Sequence, residues 1–291
     1  MKKILIFDLI GSSSHYDLMN SEIIALEKKY KVISFSPILI NRSFKDDHIL
    51  LKDKSSIVSL IIRVIQFYYY YYKNFNDIIV IQTSNNVQLF FMSLIKKYVI
   101  IHNNLDRGFL SRFLLRLSFS NIYLIYSRHI SQDCKFKLIP HALKNSSQLK
   151  SLSSSKTIYV HNVKNVQHLK NLIKTNSDYN FILNSKIKLI KSHNVSVVSD
   201  WDKYLEYLQL STAVYYDISY NKRVSGVQYD IISQYKKIIT SSITSQHKSL
   251  ISQFGDVVCT DLKNLSINES TIYNIDLYRK NYTNNICAQI I

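Results

Sequence analysis

The fold class follows from residues 3–36, which read KILIFDLIGSSSHYDLMNSEIIALEKKYKVISFS. An apolar run over 3–9 has the length and β-branched content of a buried strand. A small-residue loop leads from it into a helical pattern over 16–29, and a second β-rich run follows at 31–36. Such a strand–helix–strand unit forms a right-handed crossover between parallel strands.

The same alternation extends outward through the first half of the chain. It pauses at 145–156, NSSQLKSLSSSK, where polar residues replace apolar periodicity, and we interpret this stretch as an interdomain linker. The alternation then restarts. Further strands are predicted at 78–82, 97–102, 121–126, 157–161, 179–183, 194–198, 212–216, 237–240 and 256–259, and further helices at 57–74, 86–96, 109–119, 164–175, 201–210, 227–235, 246–254 and 269–284. The pattern predicts an α/β protein with two doubly wound domains that face a cleft.

The composition points to a globular protein with an anionic partner. Hydrophobic residues make up 46% of the 291 residues, and 37 Lys and Arg against 20 Asp and Glu give a formal net charge of +17. Nucleic acid, acidic lipid or a phosphorylated substrate would suit this charge. Because the lysines are scattered and no nucleic-acid-binding motif is present, we expect no nucleic-acid partner.

Two predicted helices are mostly apolar but contain arginines. The apolar stretch 57–72 is shorter than the ~20 residues of a membrane span and contains Arg63, so no transmembrane helix is predicted. Helix 109–119 places Arg112 and Arg116 among leucines and phenylalanines. Either these helices dock on anionic lipid, or they simply cover the first sheet with their arginines in solvent.

Cysteine and histidine spacing offers little for a metal site. The three cysteines are far apart, which indicates neither a disulfide framework nor a zinc site and favours a reducing, cytosolic compartment. No His-x3-His pair is present among the nine histidines. We therefore predict no metal site.

Only four glycines occur, so their positions are informative. Gly11, Ser12 and Ser13 lie between the first strand and first helix, where free amides could receive an acceptor substrate. An ordinary Ser-rich capping loop is the alternative. His15, close to Asp17, is either a general base for an acceptor hydroxyl or a solvated loop histidine.

A second loop, Asn221–Val227 (NKRVSGV), precedes a predicted helix. Its cations Lys222 and Arg223, and the amides of Ser225, Gly226 and Val227, could neutralise a diphosphate leaving group. Asp230, one turn into that helix, could accept hydrogen bonds from a ribose or could only stabilise the helix dipole.

The order of these segments resembles GT-B glycosyltransferases of the group that builds bacterial lipopolysaccharide and capsule. The resemblance rests on VIIHNN at 99–104, KLIPHAL at 137–143 and RVSGVQYDIISQYKKIITSS at 223–242. It implies that His102 lines the donor-sugar pocket with a catalytic role, that Ser225 and Gly226 hold the diphosphate, and that Asp230 binds the ribose.

The resemblance also implies a domain assignment and a working place in the cell. Residues 1–148 would bind the acceptor, 149–268 the nucleotide-sugar, and a helix within 269–291 would pack back towards the first domain. The enzyme would transfer a sugar to a glycan or lipid-linked acceptor without a cofactor beyond its nucleotide-sugar co-substrate. It would act in the cytoplasm, peripherally at the inner face of the membrane.

Some family features differ in this sequence. The Glu-x7-Glu signature is absent, and Val160–Lys164 (VHNVK) stands where the family has a Gly-Arg motif. A second hypothesis therefore stays open, in which the chain is a catalytically silent GT-B-like subunit that binds a partner or the membrane.

Overall fold

A computed structural model describes residues 2–11, 16–37, 48–51, 57–102, 104–118, 121–133, 135–144, 156–184, 187, 192–198 and 203–290. The predictions for Ser12, Ser13 and His15, and for most of the linker, lie outside the described residues. The chain divides into two compact units. Unit 1 comprises Met1–Ala142, Lys222–Val224 and Asn281–Ile291, and unit 2 comprises Leu143–Asn221 and Ser225–Lys280.

Unit 1 is built on a seven-stranded sheet in the order β3-β2-β1-β4-β5-β6-β7, in which every neighbouring pair is parallel. Its strands are β1 (Lys3–Asp8), β2 (Lys31–Ser36), β3 (His48–Leu50), β4 (Ile78–Thr83), β5 (Lys97–Ile100), β6 (Asn121–Ile125) and β7 (Phe136–Leu138). Its helices are α1 (Tyr16–Glu27), α2 (Ile57–Lys73), α3 (Asn86–Phe91) and α4 (Phe109–Leu117), with a short 3-10 turn at Asn104–Asp106.

Unit 2 repeats this design with six parallel strands in the order β10-β9-β8-β11-β12-β13. They are β8 (Thr157–Asn162), β9 (Asn180–Asn184), β10 (Val195–Val198), β11 (Ala213–Tyr216), β12 (Lys237–Ile239) and β13 (Val258–Cys259). The helices are α5 (Val166–Thr175), α6 (Tyr204–Leu210), α7 (Gly226–Ser233), α8 (Ser245–Phe254) and α9 (Glu269–Ile290). The end of α9 belongs to unit 1.

The predicted α/β class with two Rossmann-like sheets is confirmed. Two strands, β3 and β7, were not predicted; they are the two edge strands of the unit 1 sheet. Among the helices within the described ranges, none combines the length and hydropathy that crossing a bilayer requires.

Each unit has a conventional apolar core. In unit 1, Phe7 of β1 stacks on Phe35 of β2 at 4.3 Å between ring centroids, and Phe67 of α2 meets Phe7 edge-on at 4.8 Å. In unit 2, one face of the sheet buries Ile158, Val160 and Tyr215 beneath α5 and neighbouring segments. The carboxyl ends of the strands are therefore held rigidly where functional loops begin.

Candidate functional site

The strand order of unit 2 creates a topological switch point between β8 and β11. These neighbours are parallel, but β8 leads through α5 to β9 while β11 leads through α7 to β12 on the other side. Because the two connections leave in opposite directions, a crevice opens beyond the carboxyl ends of the two strands, where ligands of such sheets bind.

Asp217, the first residue after β11, fixes the loops around this crevice. Its buried carboxylate accepts four hydrogen bonds, from Asn165 N at 2.7 Å, Thr240 Oγ1 at 3.1 Å, Ser241 N at 2.8 Å and Ser241 Oγ at 2.6 Å. Asp217 thereby ties the loops that follow β8, β11 and β12. Burial opposes ionisation of this carboxyl, but the hydrogen bonds from Ser241, Asn165 and Thr240 outweigh burial and lower its pKa.

Replacing Asp217 by Asn should destabilise the protein by about 3 kcal/mol at pH 7, because a neutral amide cannot accept four hydrogen bonds. Since the folded pKa lies below the ordinary 3.8, the wild-type advantage is complete above that pH and fades as pH falls through the folded pKa. Denaturant unfolding at pH 7 and at acid pH measures both effects. Asp178→Asn, which alters an exposed carboxylate paired with Lys156, is the control; equal losses in the two variants would contradict this role.

Aromatic rings line one side of the switch point. The buried imidazole of His161 at the end of β8 lies 4.9 Å from the ring of Tyr204 and 5.6 Å from that of Tyr216. Tyr159, two residues earlier on the same strand face, lies 5.7 Å from the His161 ring. Burial lowers the pKa of His161 to about 4, so this imidazole is neutral at physiological pH.

Helix α7 begins beside this aromatic wall. Ser225 is its N-cap, but its hydroxyl is 2.8 Å from the Tyr216 hydroxyl and makes no capping bond to the helix. At Gly226 the space that a Cβ would enter holds no atom within 4 Å. The first turn of α7 therefore starts at an open position, with Val227 half-buried behind it.

Asp230 is one turn further along α7 and already has cationic and phenolic neighbours. Lys144 Nζ lies 3.4 Å from Asp230 Oδ1, and the Tyr204 hydroxyl donates to Asp230 Oδ2 at 3.4 Å. The structure thus brings Ser225, Gly226, Val227 and Asp230 together on one helix.

Lys222 and Arg223 belong to unit 1. Arg223 Nε lies 3.2 Å from Asp106 Oδ2, and the Arg223 carbonyl oxygen is 3.0 Å from Nε2 of His129. Lys222 is exposed. The loop that the sequence presents as one motif is therefore divided: its two cations belong to one unit, and the start of α7 belongs to the other.

The first loop of unit 1 is held by a second strand-end carboxylate. Asp8 Oδ1 accepts hydrogen bonds from Ile10 N at 3.1 Å and Gly11 N at 2.8 Å, while Thr83 Oγ1 donates to the same oxygen. Gly11 has φ 73°, a left-handed conformation that favours glycine. Gly11 thus has a structural reason to be glycine, and its predicted contact with an acceptor stays a prediction.

His102 follows β5 and contacts a buried polar cluster that sequence reasoning missed. Its ring lies edge-on to Tyr126 at 6.0 Å, and the Tyr126 hydroxyl donates to Glu22 Oε1 at 2.8 Å. Gln82 Nε2 donates to the other oxygen of Glu22 at 2.7 Å. Burial raises the pKa of Glu22 to about 8, against a smaller opposite effect of the Tyr126 hydrogen bond.

The Glu22→Gln variant should change the pH dependence of stability. Folding raises the pKa of this carboxyl from 4.5 to about 8, so wild-type protein binds a proton on folding between these values and loses stability as pH rises through them. The loss is on the order of 4 kcal/mol, and the neutral glutamine lacks it. Thermal unfolding from pH 5 to pH 8 tests this, with the exposed Glu206→Gln as control. Parallel profiles for wild type and Glu22→Gln would refute it.

Solved structures resemble the whole chain. One is Anabaena Alr3699/HepE in complex with UDP-glucose, with 12% identity and a TM-score of 0.59 over 100% of this chain and 93% of that one. Another is WaaG, a glycosyltransferase involved in lipopolysaccharide biosynthesis, with 10% identity and a TM-score of 0.55 over 100% and 93% of the two chains. The fold is GT-B.

A third GT-B neighbour has a different activity in its name. It is a putative UDP-N-acetylglucosamine 2-epimerase from Listeria monocytogenes, with 11% identity and a TM-score of 0.57 over 99% of this chain and 91% of that one. No protein-family model matches the sequence, and a search of curated proteins finds no match either. At these identities the likeness establishes the GT-B fold alone.

Sequence reasoning missed Asp217 and Glu22, whose carboxyl groups accept hydrogen bonds from distant segments of the chain. Asp217 directly follows an apolar strand, AVYY, and a carboxylate in that position was a usable signal. Glu22 offered none, because an acid within a helical pattern ordinarily faces solvent.

Proposed function

We propose that the chain is a hexosyltransferase-like glycosyltransferase. It would move a sugar from a nucleotide-sugar to a glycan or lipid-linked acceptor in bacterial surface polysaccharide synthesis. The observation that carries the proposal is the open start of α7, where Ser225 and Gly226 lie beside the switch point of unit 2. A GT-B neighbour that binds UDP-glucose supports a nucleotide-sugar as the ligand.

In this proposal, unit 2 stabilises the leaving diphosphate. Breaking the bond between sugar and diphosphate develops negative charge, which the amides at the start of α7 and the helix dipole would stabilise. The hydroxyl of Ser225 would add a hydrogen bond by exchanging its Tyr216 partner. These groups and Lys222 would act without a metal ion or further cofactor.

Two charged residues would need to change partners when the donor binds. Arg223 neutralises Asp106 in the structure, so its guanidinium would reach a diphosphate only by leaving that carboxylate. Asp230 would accept hydrogen bonds from ribose hydroxyls in place of the weak contact from Tyr204. Lys144 would stay beside the other carboxylate oxygen of Asp230.

Unit 1 would supply the acceptor side. Gly11, Ser12 and Ser13 would contact the acceptor, and His15 would take the proton of the attacking hydroxyl if the reaction inverts the anomeric centre. His102 would contact the donor sugar. The His102 ring contacts the ring of Tyr126, and the Tyr126 hydroxyl is hydrogen-bonded to Glu22. These contacts support a fixed orientation for the His102 imidazole.

The test uses two glycines that both lie at helix starts with open space beside them. Gly226→Val places a side chain in the proposed diphosphate position. Gly108→Val adds the same side chain to open space at the start of α4, away from that position, and is the matched control. We expect the Kd for UDP to rise about tenfold or more in Gly226→Val and to stay unchanged in Gly108→Val. Calorimetric titration measures binding, and circular dichroism checks folding.

The outcomes separate the competing functions. Wild-type UDP affinity in folded Gly226→Val would refute the assignment of the site. If the wild-type chain bound no nucleotide in a thermal-shift panel, the catalytically silent GT-B-like subunit would replace the transferase. Conversion of UDP-N-acetylglucosamine to its 2-epimer, without transfer to an acceptor, would indicate the activity named for the Listeria protein.

A further inference from the structure

Helix α2 has its polar face turned inward. Ser59 and Arg63 are each only 3% exposed. Arg63 Nη1 donates to the carbonyl oxygens of Leu9 at 2.9 Å and Ile10 at 3.2 Å, just beyond the end of β1. The sequence-based alternative in which the arginines of both helices face solvent is therefore wrong for Arg63.

The outward face of α2 is apolar instead. Ile61, Ile65, Tyr69 and Tyr72 follow helical spacing and are all exposed, Ile65 by 62%. A surface helix of a globular protein ordinarily shows the reverse arrangement, with charged residues outside. Since Arg63 and Phe67 already occupy the inner face, this outer stripe has no core of unit 1 to pack against.

Helices α3 and α4 extend the stripe sideways. Connections β3–α2–β4, β4–α3–β5 and β5–α4–β6 all step the same way across the sheet, so their right-handed crossovers lie on one face of it. The Tyr68 hydroxyl donates to the Phe91 carbonyl oxygen at 2.7 Å and joins α2 to α3. On this face Leu94 is 82% and Phe109 78% exposed, with Leu110 and Phe113 beside them.

We call this surface the three-helix face, formed by the outward side chains of α2, α3, α4 and Leu94. Its charge is predominantly positive. Helices α2, α3 and α4 contain no Asp or Glu, whereas Lys73, Lys96, Arg107 and Arg116 are exposed on or beside them. Asp106, which immediately precedes Arg107, is already paired with Arg223.

An apolar surface bordered by cations limits the choice of partner. A second copy of the three-helix face would bring cations against cations, which disfavours self-association. A bilayer containing anionic lipid offers acyl chains to the leucines and phenylalanines and phosphates to the arginines and lysines. Tyr69 and Tyr72 have the mixed apolar and polar character that suits the headgroup boundary.

We infer that the three-helix face binds peripherally to the surface of an anionic phospholipid bilayer. It inserts Leu94, Phe109, Leu110 and Phe113 at the level of the acyl chains, while Arg112 and Arg116 contact lipid phosphates. This binding goes beyond the proposed function and would give the chain the peripheral membrane location expected from the sequence. It rests on the surface of unit 1 and does not require nucleotide binding.

The experiment is flotation of the full chain with vesicles of phosphatidylcholine, with and without phosphatidylglycerol. We expect binding to the anionic vesicles. The double variant Phe109→Ser/Leu110→Ser should weaken the partition coefficient about tenfold or more, because two large apolar side chains no longer insert. The double variant Arg112→Gln/Arg116→Gln should weaken it about fivefold per arginine, on anionic vesicles alone.

A control removes two exposed apolar side chains elsewhere on the chain. Leu205→Ser/Leu210→Ser, on α6 of unit 2, should bind vesicles like the wild type. Every variant is also titrated with UDP, and the α4 variants should retain wild-type nucleotide affinity. A loss of vesicle binding can then be distinguished from a failure of the proposed nucleotide site. The inference is overturned if the wild type does not bind anionic vesicles, or if the α4 variants bind them as the wild type does. It is also overturned if sedimentation shows a wild-type dimer that the α4 substitutions dissociate.

Discussion

A single buried carboxylate, Asp217, sets the geometry on which the candidate site of unit 2 depends. The loops after parallel strands diverge, and polar backbone groups at their beginnings need partners once water is excluded. Asp217 satisfies such groups in the loops after β8 and β12 while continuing the chain from β11. The loops around the switch point are therefore fixed by charge-assisted hydrogen bonds.

Unit 1 has a comparable carboxylate at its own switch point, between β1 and β4, but there it belongs to β1, the counterpart of β8. Asp8 is the last residue of β1 and accepts hydrogen bonds from the backbone of the next loop, from Ser36 of β2 and from Thr83 of β4. Arg63 completes this arrangement by binding the carbonyl oxygens of Leu9 and Ile10. Anchoring these carbonyl groups places a long cation on the inner face of α2.

Much of the fold could be predicted from the sequence. The alternation of β-rich runs with helical periods located nearly all the strands and helices, because each period is a local property of consecutive residues. The edge strands β3 and β7 were missed. The candidate site was predicted only in part: Ser225, Gly226, Val227 and Asp230 form one helix start, whereas Asp217, Glu22 and the ring contacts of His161 were missed.

The sequence by itself determined that strands and helices alternate, that the chain forms two Rossmann-like sheets, and that a Ser-Gly turn opens a helix in the second. These features depend on backbone preferences and side-chain periodicity within a few residues. Only the tertiary structure decided which side of α2 is buried and that Arg223 pairs with Asp106. It also decided that three separate loops meet at Asp217. Such contacts join residues that are distant in sequence, so they cannot be predicted from local sequence patterns.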